Sequence, residues 1–256
     1  MTYIHNPKTE GSGIICCIPQ TGRCPNGCSD CFFQSGRSYL EPLDKNLPNI
    51  PSLEEAAGKI VRVNDGNDSN IKRDIVIENT KQFPNKFYNT AIPMYLEEFD
   101  APIVLTLNPG KMTDTMFHKL DSIPKNLMMV RIRTNTWNID MVDDAVEYYT
   151  SKDIPVVLTM MAYYNDNAIP EGESKIECTR KTCRDHKEHY IYRKRTLNSY
   201  YAITTAAWMA IMDRYRLNKF VSSCGKIEGE LGKTGCRYCG NCLREYFATV
   251  ERMKND

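Results

Sequence analysis

The sequence predicts an α/β fold, a partial (β/α)6 barrel on a parallel sheet with a small Cys-rich C-terminal metal-binding extension. Three observations predict it. Short Val-, Ile- and Leu-rich runs alternate with helical patterns, the rhythm of βαβ units. The runs are nearly continuously apolar, as strands covered on both faces are. Eleven cysteines fall mostly into two tight groups, one toward each end of the 256 residues. Six strand–helix units are too few to close an eight-stranded barrel inside a full helix ring, so an open barrel is expected.

In chain order, strands are expected at residues 13–18, 74–78, 102–107, 128–133, 154–160 and 219–223. Ser52 and Glu55 spell a capping box that opens a helix expected to reach about Val63. Further helices are expected at 113–120 and 140–149, and a longer one at 197–215. Two segments break the rhythm. Residues 165–195 form a polar insertion that carries Cys178, Cys183, His186, His189 and a basic run with interleaved Tyr190 and Tyr192. Residues 224–242 are rich in Gly and Cys and precede a short terminal helix. The expected division is a core over 1–223, with the insertion inside it, and a Cys-rich tail over 224–256.

Bulk properties narrow the function classes. Hydrophobic residues make up 41% and charged residues 25%, enough of both for a filled core and a wet surface. The net charge of +1 gives no whole-protein attraction to nucleic acid or membrane. No apolar run is long enough to span a bilayer, and residues 1–13 lack the basic-then-apolar pattern of an export signal. A cytoplasmic location without a membrane partner is therefore expected. In a reducing compartment, clustered cysteines bind metal or do redox chemistry more often than they form disulfides.

The first group is Cys24-Pro-Asn-Gly-Cys28-Ser-Asp-Cys31, a C-x3-C-x2-C pattern directly after the first expected strand. Pro25 and Gly27 make it a loop, which can wrap three thiolates around one centre as a regular helix or strand cannot. Three Cys ligands leave one iron of a [4Fe–4S] cluster without a protein ligand, the open position that a catalytic metal site needs. The alternative is a structural zinc loop closed by Cys16 or Cys17. Both of those are expected inside the first strand, where buried Cys acts as a small hydrophobe.

This motif, placed after strand one of a partial α/β barrel, resembles the radical S-adenosylmethionine (SAM) superfamily. The resemblance covers roughly residues 13–223 by pattern, and the Cys motif is its specific part. It implies that SAM chelates the open iron through its amino and carboxylate groups. It also implies that one electron cleaves SAM to a 5′-deoxyadenosyl radical, which abstracts hydrogen from a peptide, a nucleoside or nucleic-acid base, or a small metabolite. A reductase such as flavodoxin or ferredoxin would supply the electron. The family usually has an aromatic residue before its third Cys; here Asp30 stands there, with Phe32 and Phe33 following.

The resemblance also implies SAM contacts at strand ends. The family's second strand ends in a Gly-Gly-Glu-like motif that binds the SAM amino group. Here the second expected strand ends Ile77-Glu78-Asn79-Thr80, so Asn79 and Thr80 are the candidates. The third ends Thr106-Leu107-Asn108-Pro109-Gly110. That is similar to a family Thr-Asn-Gly ending, which makes Thr106 and Asn108 candidates, and it also reads as an ordinary Asn-Pro-Gly turn. On the fourth, alternation puts Arg131 and Arg133 on one face. An Arg lining a barrel needs an anion, and Arg133 would take the SAM carboxylate or a protein carboxylate. Thr159 is a further candidate.

The second group, Cys224, Cys236, Cys239 and Cys242, spells C-x11-C-x2-C-x2-C. Two short C-x2-C steps point to one metal site, and the surrounding glycines supply its turns. Four thiolates suit a closed zinc site or a fully ligated second [4Fe–4S] cluster. The family's auxiliary clusters tip the choice toward iron–sulfur. Two other functions stay open: a zinc-stapled module that binds nucleic acid through the basic insertion, and a two-cluster redox carrier.

Overall fold

The computed structural model describes residues 2–28, 31, 33, 38–108, 119–163, 189–193, 199–225 and 235–255. Its strands are β1 (Ile14–Cys17), β2 (Ile60–Val63), β3 (Lys86–Thr90), β4 (Ile103–Leu107), β5 (Leu127–Thr134), β6 (Val156–Met160), β7 (Ala162–Tyr163), β8 (Tyr190–Arg193), β9 (Tyr200–Ile203) and β10 (Val221–Ser223). Its helices are α1 (Leu43–Asn46), α2 (Leu53–Ala56), α3 (Arg73–Thr80), α4 (Ile139–Thr150), α5 (Thr205–Arg214), α6 (Cys236–Cys239) and α7 (Asn241–Lys254). Strands β1 to β6 and then β10 form one seven-stranded sheet in that order, with every neighbouring pair parallel. The sheet curls into a half-barrel. Strands β7, β9 and β8 form a small antiparallel sheet that leaves the end of β6.

The α/β class and the open parallel barrel agree with expectation, but the strand count does not: the sheet has seven strands, not six. The capping box forms as expected, with Ser52 Oγ accepting from Glu55 N at 3.1 Å and Glu55 accepting from Ser52 N at 2.7 Å. The helix it opens stops at Ala56 rather than near Val63. Gly58 then takes φ +70°, which turns the chain out of the helix, and the β-branched Ile60, Val61 and Val63 enter β2. Residues 74–78 are not a strand. They belong to α3, the crossover that a parallel β2–β3 pair requires. An apolar run as short as Ile75–Val76–Ile77 does not separate the two states.

Strand β3 went unanticipated because Lys86, Asn89 and Thr90 are polar. All three are buried and bonded: Lys86 Nζ to Asp100 at 2.8 Å, Asn89 Nδ2 to the Val63 carbonyl at 2.9 Å, and Thr90 Oγ1 to Asp68 at 2.7 Å. The helix expected over 197–215 is instead β9 followed by α5. Thr204 caps α5 by accepting from Ala207 N at 3.2 Å. Most of the helix expected at 113–120 lies outside the described residues.

Alternation sorts the sheet into two faces. Ile15, Val61, Tyr88, Leu105, Ile132 and Leu158 pack with Val76 of α3, Tyr149 of α4 and Trp208 of α5. The other, inner face is apolar toward the strand starts, where Ile14, Ile60, Phe87, Val104, Met129 and Val157 meet Cys242 and Tyr246 of α7. Each such fully buried aliphatic side chain stabilises the fold by ~1.5–3 kcal/mol. Toward the strand ends the same face turns polar, with Asn89, Thr106, Arg131, Arg133 and Thr159. Helix α7 thus fills one end of the half-barrel and leaves the other end open. No described helix is long and apolar enough to cross a membrane.

Candidate functional site

The carboxyl ends of parallel strands are where α/β folds bind ligands, and here those ends enclose a cavity of about 380 Å³. Cys24, Cys28 and Cys31 line it from one side, and Thr106, Arg131 and Arg133 from the sheet. The three thiols are half-buried, and Cys31 N donates to the Cys28 carbonyl at 3.0 Å. Gly27 between them takes φ +58°, the left-handed turn that reverses the loop. Burial pushes the Cys24 thiol up to about 11, with the Asp68 charge and the other two thiols acting in the same direction.

Asp68 fastens this loop to the sheet. Its carboxylate is 3% exposed and accepts from Asn26 Nδ2 in the loop at 3.0 Å, from Thr90 Oγ1 at 2.7 Å, and from the backbone of Asn70 at 2.9 Å and Ala91 at 2.7 Å. Gln20 Nε2 donates to the Asp68 carbonyl at 2.9 Å. Gly66 sits against the ring of Phe33, so close that a Cβ there would overlap it. Asn64, Asp65, Gly66, Asn67 and Asp68 follow β2 directly and line the cavity.

That turn is the real end of strand two, which corrects the expectation for Asn79 and Thr80. Both sit at the end of α3, and neither lines the cavity. Asn79 Nδ2 donates to the Pro19 carbonyl at 3.0 Å. Thr80 is buried, with Oγ1 donating to the Val76 carbonyl at 2.7 Å and 3.2 Å from the Tyr88 hydroxyl. Their polar groups serve the fold. Once β2 is misread as helix, the signal Asn64-Asp65-Gly66-Asn67-Asp68, a polar turn after a β-branched run, is lost.

The other sequence candidates fall nearer the cavity. Thr106, Arg133 and Thr159 line it. Asn108 is not among the lining residues; its Nδ2 is buried without a partner, and Pro109 and Gly110 lie outside the described residues. Arg133 Nε donates to Met161 Sδ at 3.0 Å, and Arg131 Nη1 to Asn89 Oδ1 at 3.2 Å. Arg131 Nε and Thr159 Oγ1 are buried without hydrogen-bond partners. Asp30, Phe32 and the insertion residues Cys178, Cys183 and His186 lie outside the described residues.

The second cysteine group meets the same chamber. Cys224 follows β10, its N–H bonds to the Leu158 carbonyl at 2.8 Å, and it lines the cavity beside Thr159. Cys236 and Cys239 lie on α6 and Cys242 on the first turn of α7. Cys236 lies within electrostatic reach of Cys224 and Cys239, and Cys242 of Cys224 and Cys236. Burial raises both Cys236 and Cys242, the latter to about 11, against an opposing pull from nearby guanidinium groups.

Arg62 supplies part of that pull. It lies on the inner face of β2, pairs with Asp65, and donates to Cys16 Sγ at 3.3 Å and to Cys236 Sγ at 4.0 Å. Burial disfavours its charge, yet Asp65 and the neighbouring sulfurs hold it well above its ordinary range. Cys16 and Cys17 are both buried as expected. Cys17 packs in the apolar core, while Cys16 faces Arg62 and is pushed up to about 12 by burial.

Among the described residues, no group of three or more His, Cys, Asp or Glu side chains is gathered closely enough to hold a metal ion. The donor chemistry nonetheless fits an iron–sulfur centre at the first loop: three half-buried thiols, no fourth thiol in the loop, and a shared cavity on their open side. No protein-family model, no curated protein and no solved structure matches the chain.

Proposed function

We propose that this chain is a radical SAM enzyme. In this reading Cys24, Cys28 and Cys31 hold a [4Fe–4S] cluster, and SAM occupies the cavity at the strand ends. One observation carries the reading. Three thiols on a single loop share a cavity with the polar carboxyl ends of a parallel half-barrel, the edge where α/β folds bind ligands. A simple redox carrier has no use for such a cavity. When bound, a cluster with one open iron supplies the electron that cleaves the sulfonium bond of SAM.

The chain's own residues then have definite tasks. Asp68 and Asn26 keep the thiol loop seated on the sheet. The Phe33 ring on Gly66 walls the cavity and excludes water. Arg133 offers its guanidinium to the SAM carboxylate, and Thr106 and Thr159 offer hydroxyls. The Cys224, Cys236, Cys239 and Cys242 group holds a second [4Fe–4S] cluster or zinc. A flavodoxin- or ferredoxin-type reductase is the electron donor. The substrate is a peptide, a nucleoside or nucleic-acid base, or a small metabolite.

The test is anaerobic reconstitution with iron and sulfide, metal counting, reduction in the presence of SAM, and assay for 5′-deoxyadenosine. The expected result is product from the native chain and none from Cys28→Ala. A well-loaded protein that makes no 5′-deoxyadenosine, or one that takes up zinc and no iron, would overturn the proposal.

A further inference from the structure

We infer that Arg62 and Arg131 are the charge partners of an anionic metal–thiolate centre held by Cys224, Cys236, Cys239 and Cys242 inside the half-barrel. This rests on the reading that those four thiols hold a metal or cluster. It gives that centre a place in the reaction chamber and names two residues that tune it.

Three guanidinium groups lie on the inner face of the sheet, Arg62 on β2 and Arg131 and Arg133 on β5. Asp65 answers Arg62 and also accepts from Asn6 Nδ2. Arg131 meets only the neutral amide of Asn89 and pairs with no carboxylate among the described residues. A cation taken out of water without an anion is costly. Arg131, half-buried and with its Nε shut off from water, is left without a carboxylate of its own among the described residues.

The tail thiols stand where the missing anion is needed. Arg62 reaches Cys236 Sγ at 4.0 Å, and Cys242 lies within electrostatic reach of Arg131 first and Arg62 second. Four thiolates outweigh the charge of the zinc ion or cluster core they hold, so the loaded centre is an anion. The buried Arg62 on β2 and the half-buried Arg131 on β5 stabilise it as outer partners of metal ligands do. Arg131 also lines the cavity, as does Cys224, so the centre borders the chamber instead of stapling a remote tail.

The experiment uses a full chain with Cys24, Cys28 and Cys31 all changed to Ala, so that any bound metal reports the tail alone. The protein is loaded anaerobically with iron and sulfide or with zinc, and metal release to a chelator is timed. Arg62→Met and Arg131→Met are each expected to speed release by roughly tenfold or more, with Arg62→Lys restoring most of the loss. Asp65→Asn removes the competing anion, so it should leave release unchanged or slow it. A merely structural Arg62–Asp65 pair predicts acceleration from both sides, and that result would overturn the proposal. Release within about twofold of the parent in both Met variants would overturn it as well. Circular dichroism follows folding; if Arg62→Met does not fold, Arg131→Met on its separate strand carries the test. A parent that takes up no metal overturns the metal reading of the tail itself, a failure distinct from any Arg result.

Discussion

Cys24, Cys28 and Cys31 sit on a loop tied to the sheet through Asp68, with their sulfurs half-exposed at the mouth of a cavity. Cys242 sits on α7, which packs into the inner face, and Cys236 and Cys239 on the short α6 before it, with Cys224 at the end of β10 and guanidinium groups nearby. The first group has three thiols and an open side. The second has four and brings its own counter-charges. In the proposed reading, a three-thiol site in a cavity wall accepts a further ligand from outside the protein, and a four-thiol site backed by Arg62 and Arg131 needs none. The same ligand type therefore serves two ends, and what separates them is the number of thiols and the surrounding charge.

The largest expected structural effect tests whether the second group is part of the barrel. Tyr246 of α7 is 5% exposed and packs on Phe87, with ring centroids 6.4 Å apart. Tyr246→Ala should cost about 3 kcal/mol in denaturant unfolding. A loss below about 1 kcal/mol would mean that the helix is an appendage, and the contrast between an integral and a peripheral group would fail. A smaller effect is expected where the first group meets the sheet. Gly66→Ala would drive a methyl into the Phe33 ring and should destabilise by about 1–3 kcal/mol. Adding Phe33→Ala should recover part of that loss, since the two positions touch. Equal and additive losses would show that the contact does not hold the loop.

The smallest effect comes from buried thiols of the metal-free protein, in both groups and at Cys16 on β1. Burial raises Cys16 to about 12 and both Cys24 and Cys242 to about 11. A raised acid keeps its proton in the fold after the unfolded chain has lost its own. The native state then binds more protons, so stability falls as pH rises above the ordinary thiol range toward those values. Urea midpoints should decline from about pH 8 to about pH 10, and Cys16→Ser should flatten the decline. A midpoint constant over that range would contradict the burial of these thiols.

How much of this was legible in the sequence depended on what each residue does locally. The apolar runs at β1, β4, β5 and β6 announced themselves because most of their residues are buried on both faces. The thiol loop was readable from spacing alone. Strand β3 was hidden because Lys86 and Asn89 are satisfied by Asp100 and Val63, partners far along the chain. Strand β2 was hidden behind a true capping box whose helix Gly58 ends early. That one error moved the second strand end from Asn64–Asp68 to Asn79–Thr80 and with it the candidate site residues. Arg62 and Cys16 were invisible as a pair, since only the β1–β2 register brings them together.

The most direct test of the contrast is electron paramagnetic resonance on two reduced, iron-loaded proteins. One keeps Cys24, Cys28 and Cys31 and has the four tail cysteines changed to Ala. The other keeps the tail and has the loop cysteines changed to Ala. The account predicts that adding SAM perturbs the cluster signal of the first protein and leaves that of the second unchanged. A SAM-insensitive signal in the loop-only protein, or a perturbed one in the tail-only protein, would contradict it.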